Sequence, residues 1–287
     1  MRTLRNLSQK ELEEVQKLTL ELREKGLSYS QIVRKISEEL DVKVSKATVL
    51  RWCKGTHNTF NKMKRVNLDS SPALAYIIGV YFGDATATKG AEYKYNVKLK
   101  VVDKEFADAF AEALKDIGLK PRSGFENDRT RSGRWYVETS SKSLYLYLKG
   151  SKERLFEVAT KYPREFLRGF FDSEGSAIIT RNRIRVEACN YNKEVLEFCQ
   201  ELLNGLDIYS KIYRTKRKGQ PVVIRGEQYH YTSDLFTLKI YRLESVYRYM
   251  REVGFTISRK QNKLINFFGL SQQKTQKLEE NYTKSSI

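Results

Sequence analysis

The chain has 287 residues, with 53 Lys+Arg against 35 Asp+Glu and a formal net charge of +18 at pH 7. That excess favours a polyanionic partner, and the length suits two domains or one domain with an appendage. The longest apolar run, Ala73 to Gly83, is about half of the roughly 20 residues a spanning helix needs, so no membrane partner is expected.

The N-terminus, from Met1 to Glu14, has no apolar signal region, and a cytosolic (cytoplasmic) protein is expected. Cys53, Cys189 and Cys199 lack CxxC spacing and read as buried thiols in a reducing compartment. His57 and His230 are too few for a zinc finger or a His-dependent nuclease site.

Residues 1–57 read as three short helices. Ser8 with Glu11 forms a capping box that opens the first, and Gly26 closes it. Ser28 with Gln31 opens a second helix running to about Leu40, and Asp41 to Val44 make a turn. Ser45 caps a third helix, Lys46 to Lys54, stopped by Gly55. The last two helices resemble a helix-turn-helix, with Lys46, Thr48, Arg51 and Lys54 offered to DNA and Val49 and Trp52 turned to a small core. The competing reading is a helical bundle with a solvated basic face. Residues 58–71 are a polar linker carrying Lys62, Lys64 and Arg65, which either lies along DNA phosphates or serves as a solvated tether.

From Pro72 the chain looks duplicated, with a first repeat over 72–150, a connection over 151–162, a second repeat over 163–268 and a polar tail over 269–287. Each repeat opens with Pro72 or Pro163 at the first position of an apolar helix that ends in a carboxylate, Asp84 or Glu174. Small residues recur four apart on one face, Ala75, Gly79 and Gly83 in one helix and Gly169 and Ser173 in the other. Such faces let two helix backbones approach closely. If the helices pack along them, Asp84 and Glu174 arrive side by side and make a divalent-cation site. Acid near a helix C-terminus opposes the helix dipole, so inert helix termination fits poorly.

After each motif comes an alternating strand. Tyr95 to Val101 turns Val97, Leu99 and Val101 inward and Lys98 and Lys100 outward, and Arg183 to Ala188 turns Arg183, Arg185 and Glu187 outward. Helices follow from Asp103 and from Asn192, 89 residues apart, close to the 90 between Asp84 and Glu174. Further strands at 134–139, 208–215 and 235–240 and helices at 142–149 and 242–252 complete each repeat as helix, two strands, helix, two strands, helix. The second repeat has a longer hairpin tip, with Arg214, Lys216, Arg217, Lys218 and Arg225. These residues, with Lys98, Lys100, Arg134, Arg183, Arg185 and Lys211, are candidate DNA contacts, although outward cations also merely solubilise a sheet.

The segments Ile77-Ile78-Gly79-Val80-Tyr81-Phe82-Gly83-Asp84-Ala85 and Leu167-Arg168-Gly169-Phe170-Phe171-Asp172-Ser173-Glu174-Gly175 resemble the LAGLIDADG homing endonucleases in their single-chain, two-repeat form. The first departs from the family pattern at Phe82, often Asp, and at Ala85, usually Gly. The resemblance covers about 72–267 and implies an α+β fold of two pseudo-symmetric αββαββα repeats, here preceded by a small all-α helix-turn-helix domain. It implies a monomeric, Mg²⁺-dependent endonuclease cutting double-stranded DNA at a long, non-palindromic site. Asp84 and Glu174 would be catalytic, binding metal together with the backbone of Ala85 and Gly175. Asp172 would be either a supporting residue or a cap. The lysine that many members place near the attacking water falls on Val102 and Tyr191, with Lys100, Lys104 and Lys193 nearby. A DNA-binding regulator that has lost cleavage, and an intron maturase with RNA as partner, are the alternatives. The ends lack the residues of an intein, so a free-standing, intron-encoded or mobile reading frame is expected.

Overall fold

The structure is a computed structural model that describes residues 2–4, 7–56, 66–90, 94–128, 131–224 and 226–269. It divides into two compact units, Met1–Lys64 and Arg65–Ile287.

The first unit contains strand β1 (Arg2–Thr3), helices α1 (Gln9–Glu24) and α2 (Tyr29–Leu40), strand β2 (Val42–Lys43) and helix α3 (Lys46–Cys53). Both capping boxes form: Ser8 and Glu11 exchange backbone and side-chain bonds at the start of α1, as do Ser28 and Gln31 at α2. Arg2 adds an ion pair to Glu11, whose carboxyl is held at about 2, chiefly by the Ser8 backbone N–H. Ser45 caps α3 by accepting from the Thr48 N–H. Leu12, Val15, Ile32, Ile36, Val49 and Trp52 make the core. Asp41 to Val44, expected as a turn, instead doubles as a strand. Asp41 enters it in the left-handed region, and Val42–Lys43 pair in parallel with Arg2–Thr3, which buries Val42.

The second unit is α+β, built as two pseudo-symmetric repeats. The first comprises α4 (Pro72–Phe82), β3 (Thr86–Lys89), β4 (Tyr95–Val101), α5 (Lys104–Asp116), β5 (Arg122–Asp128), β6 (Arg131–Ser140), α6 (Lys142–Leu148) and α7 (Lys152–Lys161). The second comprises α8 (Pro163–Glu174), β7 (Gly175–Thr180), β8 (Arg183–Asn190), α9 (Lys193–Gly205), β9 (Lys211–Lys216), β10 (Pro221–Ile224), β11 (Glu227–His230), β12 (Leu235–Ile240), α10 (Leu243–Glu252) and α11 (Ser258–Gly269). The two antiparallel sheets have equivalent strand orders, β3-β4-β6-β5 and β7-β8-β12-β9. The pair β10–β11 is a separate ribbon inserted only in the second repeat.

Each repeat carries one helix more than the αββαββα unit. Residues 151–162, read from sequence as a connection, contain α7, capped by Ser151 and buried through Leu155, Val158 and Ala159 at helical spacing. Its counterpart α11 buries Lys260, Leu264 and Phe268, four apart.

These last helices reach across to the opposite repeat. The Phe156 ring of α7 stacks on Phe198 of α9 with centroids 3.9 Å apart, and Lys152 pairs with Glu194. Reciprocally, Arg259 of α11 donates two bonds of 2.6 and 2.7 Å to Asp103, and Glu105 accepts from the Ser258 N–H at 2.6 Å. The Asp103 carboxylate is thereby taken, which explains why it makes no side-chain cap for α5.

Candidate active site

Helices α4 and α8 meet along their small residues. A Cβ on Gly79 would lie 2.1 Å from the Phe166 carbonyl oxygen, and one on Gly169 would lie 2.4 Å from that of Tyr76. A Cβ on Gly83 would stand 2.3 Å from the Cβ of Ser173. Backbone therefore meets backbone at two levels, with no room for a methyl group at either. Ala75 is fully buried, and the Ser173 hydroxyl turns back to its own helix, donating to the Gly169 carbonyl at 3.1 Å.

At the foot of this pair stand the two acids. Glu174 is the last residue of α8 and half-buried; Asp84 lies exposed in the turn after α4. Burial, reinforced by the neighbouring Asp84 charge, pushes the Glu174 carboxyl up to about 7. Desolvation by the surrounding protein also raises Asp84, while the charges of Lys260 and Arg134 pull it back. The Asn190 amide donates to Glu174 Oε1 at 3.2 Å and to the Phe82 carbonyl at 3.3 Å, bridging the two helix feet. Behind the acids, the Ala85 N–H donates to Val80 O at 3.0 Å and the Gly175 N–H closes α8 on Phe171 O, which fixes both backbone segments.

Asp172 is neither a solvent-facing cap nor in reach of a ligand; it is 1 % exposed. Its carboxylate accepts from the Tyr76 hydroxyl of α4 at 3.0 Å and from the Thr256 N–H and hydroxyl at 2.9 and 2.5 Å. Beneath it, the Lys260 ammonium donates to the carbonyls of Asp172 at 2.7 Å and Phe171 at 3.5 Å. A cation on the last carbonyls of α8 complements the helix dipole and offsets part of the negative charge at its foot. Burial lowers Lys260 and raises Asp172, and each opposes the other's shift through its charge.

Asn190, Thr256 and Lys260 were not singled out from sequence. A lysine on the otherwise apolar stripe Lys260, Leu264, Phe268 was the one available signal. Val102 and Tyr191, the positions implied for lysine, are exposed and uncharged. Lys100, Lys104 and Lys193 pair with Glu126, Asp108 and Glu197.

Of the candidate DNA contacts, several already hold acids: Lys98 with Glu138, Arg185 with Glu187, and Arg214 with Asp234. Arg183, Lys211, Arg217 and Lys218 are exposed, and Lys216 and Arg134 are half-buried. In the first unit Lys46, Arg51 and Lys54 are exposed, whereas the Thr48 hydroxyl contacts that of Ser45 at 2.8 Å. Arg225, Lys62, Lys64, Arg65 and the tail beyond 269 lie outside the described residues. The expectation of three buried thiols is corrected: Cys199 is buried, while Cys53 and Cys189 are half-buried. No described helix is long and apolar enough to cross a membrane.

Against known proteins, a family model described as a LAGLIDADG-like domain matches residues 161–254, the second repeat. The uncharacterized protein MJ0398 of Methanocaldococcus jannaschii is 49% identical over 265 residues, covering 92% of this chain and 96% of that protein. The homing endonuclease I-DmoI of Desulfurococcus mucosus is 25% identical over 156 residues, 51% of this chain and 77% of its own. A crystal structure of I-DmoI in complex with DNA and Ca is similar at 18% identity, with a TM-score of 0.49 over 69% of this chain and 99% of that one. With two glycine-contact helices ending in paired acids, equivalent sheets in each half and these matches in sequence, the chain belongs to the LAGLIDADG family.

Proposed function

We propose that this protein is a site-specific double-strand DNA endonuclease that hydrolyses phosphodiesters with Mg²⁺. The observation that carries the reading is the pairing of Asp84 with Glu174, close enough that one charge raises the other's carboxyl. Two acids near enough to repel each other are costly without a cation to share.

Among the described residues no three or more His, Cys, Asp or Glu side chains are grouped so as to hold a metal ion. Two carboxylates with hard oxygen donors nonetheless suit Mg²⁺, which keeps several waters and completes its shell with substrate phosphate. Asp84 and Glu174 would hold it, with the Ala85 and Gly175 backbones alongside. When bound, the ion supplies positive charge to the phosphodiester and lowers the pKa of water. The chain's own residues do the positioning: Asn190 orients Glu174, Lys260 offsets the acids from below, and the glycine contacts fix their separation. Outward cations of the two sheets and of the ribbon β10–β11 would bind phosphate and read base edges. The unequal halves favour a long, non-palindromic site served by a monomer. I-DmoI, by name a homing endonuclease and crystallised with DNA and Ca, supports the same direction.

The test is cleavage of a randomised duplex library with Mg²⁺ by wild type and by an Asp84→Asn, Glu174→Gln double variant. Metal-dependent, selected cuts by wild type alone are expected. Tight, sequence-selective binding without cuts would sink the reading in favour of a DNA-binding regulator. That second reading has its own support in exposed Val102 and Tyr191 and in the exposed basic side chains of α3.

A further inference from the structure

Arg134 stands apart from the other outward cations of the first sheet. Lys98, Lys100 and Arg122 each have an acidic partner, at 3.3, 2.6 and 4.0 Å. The Arg134 side chain makes no hydrogen bond or ion pair among the described residues, and its Nε is buried with no acceptor. Its cross-strand neighbour Glu126 is turned to Lys100. A buried donor without an acceptor is uncommon in a folded protein and calls for an explanation.

The sheet register locates this free guanidinium. Strands β4 and β6 pair Lys98 with Glu138, Lys100 with Tyr136 and Val101 with Trp135. Continued one step, the register sets Arg134 opposite Val102, on the outward face at the end of the sheet where Asp84 lies. Strand β3 pairs Thr86 with Lys98, so Asp84, two residues earlier, falls level with Lys100, the neighbour of Val102 on that face. The second repeat has no counterpart. Strands β8 and β12 pair Asn190 with Phe236, so the same step sets Leu235 opposite Tyr191.

We propose that Arg134 binds a non-bridging oxygen of the phosphodiester cut on the Asp84 side, so that one DNA strand is cleaved with an arginine's help and the other without it. This rests on the endonuclease reading. The chemistry suits the residue: a guanidinium is always charged and presents paired donors that match two phosphate oxygens. An arginine already spent on a carboxylate would have to break that bond first, and Arg134 has none to break.

The test uses the full chain and a duplex recovered from a randomised library by wild-type binding in Ca²⁺, with each strand end-labelled separately. Arg134→Gln and Arg134→Lys are compared with wild type in two measurements. In Ca²⁺, the slope of log affinity against log salt is expected to fall by about one for Arg134→Gln. In Mg²⁺, one strand is expected to be cut on the order of 10²-fold more slowly, leaving nicked duplex, while the other keeps its rate. Arg134→Lys should restore the slope and part of the rate. A melting midpoint lowered in both variants, an unchanged salt slope, or equal slowing of both strands would overturn the proposal. If wild type cuts neither strand, the endonuclease reading fails with the claim of strand asymmetry, and the Ca²⁺ slope alone then decides the phosphate contact.

Discussion

The ends of α4 and α8 solve one problem by two chemistries. At equivalent positions, 90 residues apart, stand Phe82 and Asp172, each two residues before its acid. Phe82 sits among rings, 5.6 Å from Phe156 of α7 and 6.1 Å from Phe166 of α8, centroid to centroid. Asp172 is held by hydroxyl and amide donors from Tyr76 and Thr256, with Lys260 beneath. One helix foot is anchored by apolar contact and the other by a buried polar network. The requirement at this position is therefore a fixed helix end, and the residue that supplies it is free to vary as long as its surroundings vary too.

What the two ends share should be the most sensitive. Gly79→Ala and Gly169→Ala each drive a methyl into backbone that cannot rotate away, and each should cost above about 3 kcal/mol. Urea unfolding of both variants checks this; a loss for one and not the other would show that the helix contact is not symmetric.

The anchors themselves come next. Asp172→Ala leaves the Tyr76 hydroxyl and both Thr256 donors unpaired and removes the strongest acidic neighbour of Lys260, at about 3 kcal/mol. Phe82→Ala removes a half-buried ring and should cost about 2 kcal/mol. The swap Phe82→Asp should be worse than Phe82→Ala, because no donor is positioned there; equal stability by thermal melting would break the comparison.

The acids give a smaller, pH-dependent effect. Glu174 titrates near 7 in the fold against an ordinary value of 4.5. Between those values the folded chain binds more protons than the unfolded one, so stability falls as pH rises across that window and the loss is complete above it. The full displacement corresponds to roughly 3 kcal/mol, and solvent screening of this half-buried carboxylate reduces it to about 2 kcal/mol. Without metal, the melting temperature should drop from pH 5 to pH 8, Glu174→Gln should flatten that drop, and added Mg²⁺ should stabilise wild type more at pH 8 than at pH 5.

The smallest change in stability belongs to the sheet face. Glu138→Gln breaks the pairs of a half-buried carboxylate with Lys98 and Arg122 and should alter stability by under about 1 kcal/mol. Affinity for duplex DNA, measured by fluorescence anisotropy, should rise, because a carboxylate facing phosphate is gone and a lysine is released.

The elements that sequence made legible are those with local signals. Ser8 with Glu11 and Ser28 with Gln31 cap helices where expected, and the alternation in 95–101 and 183–188 sets the inward faces of β4 and β8. The two acids were legible because a repeat offset marks them twice. Asn190, Thr256 and Lys260 were not, because their roles are set by partners 16 to 108 residues away, and no periodicity reports such a distance. The strand at Val42–Lys43 was hidden for the same reason: it pairs with Arg2–Thr3, about 40 residues earlier. Helix α7 was missed because its short capped run was read as the space between two repeats.

The network around Asp172 also carries an order in time. On the ribosome, Asp172 emerges 84 residues before Thr256 and 88 before Lys260. Until those residues follow, the second motif helix has a carboxylate whose chief donors do not yet exist and two carbonyls with no ammonium to accept from. The polar anchor of the acid pair is thus completed only when nearly the whole second repeat has been made. In a nascent chain the apolar foot of α4 matures well before the polar foot of α8, so a partly synthesised protein lacks the finished support of its paired carboxylates.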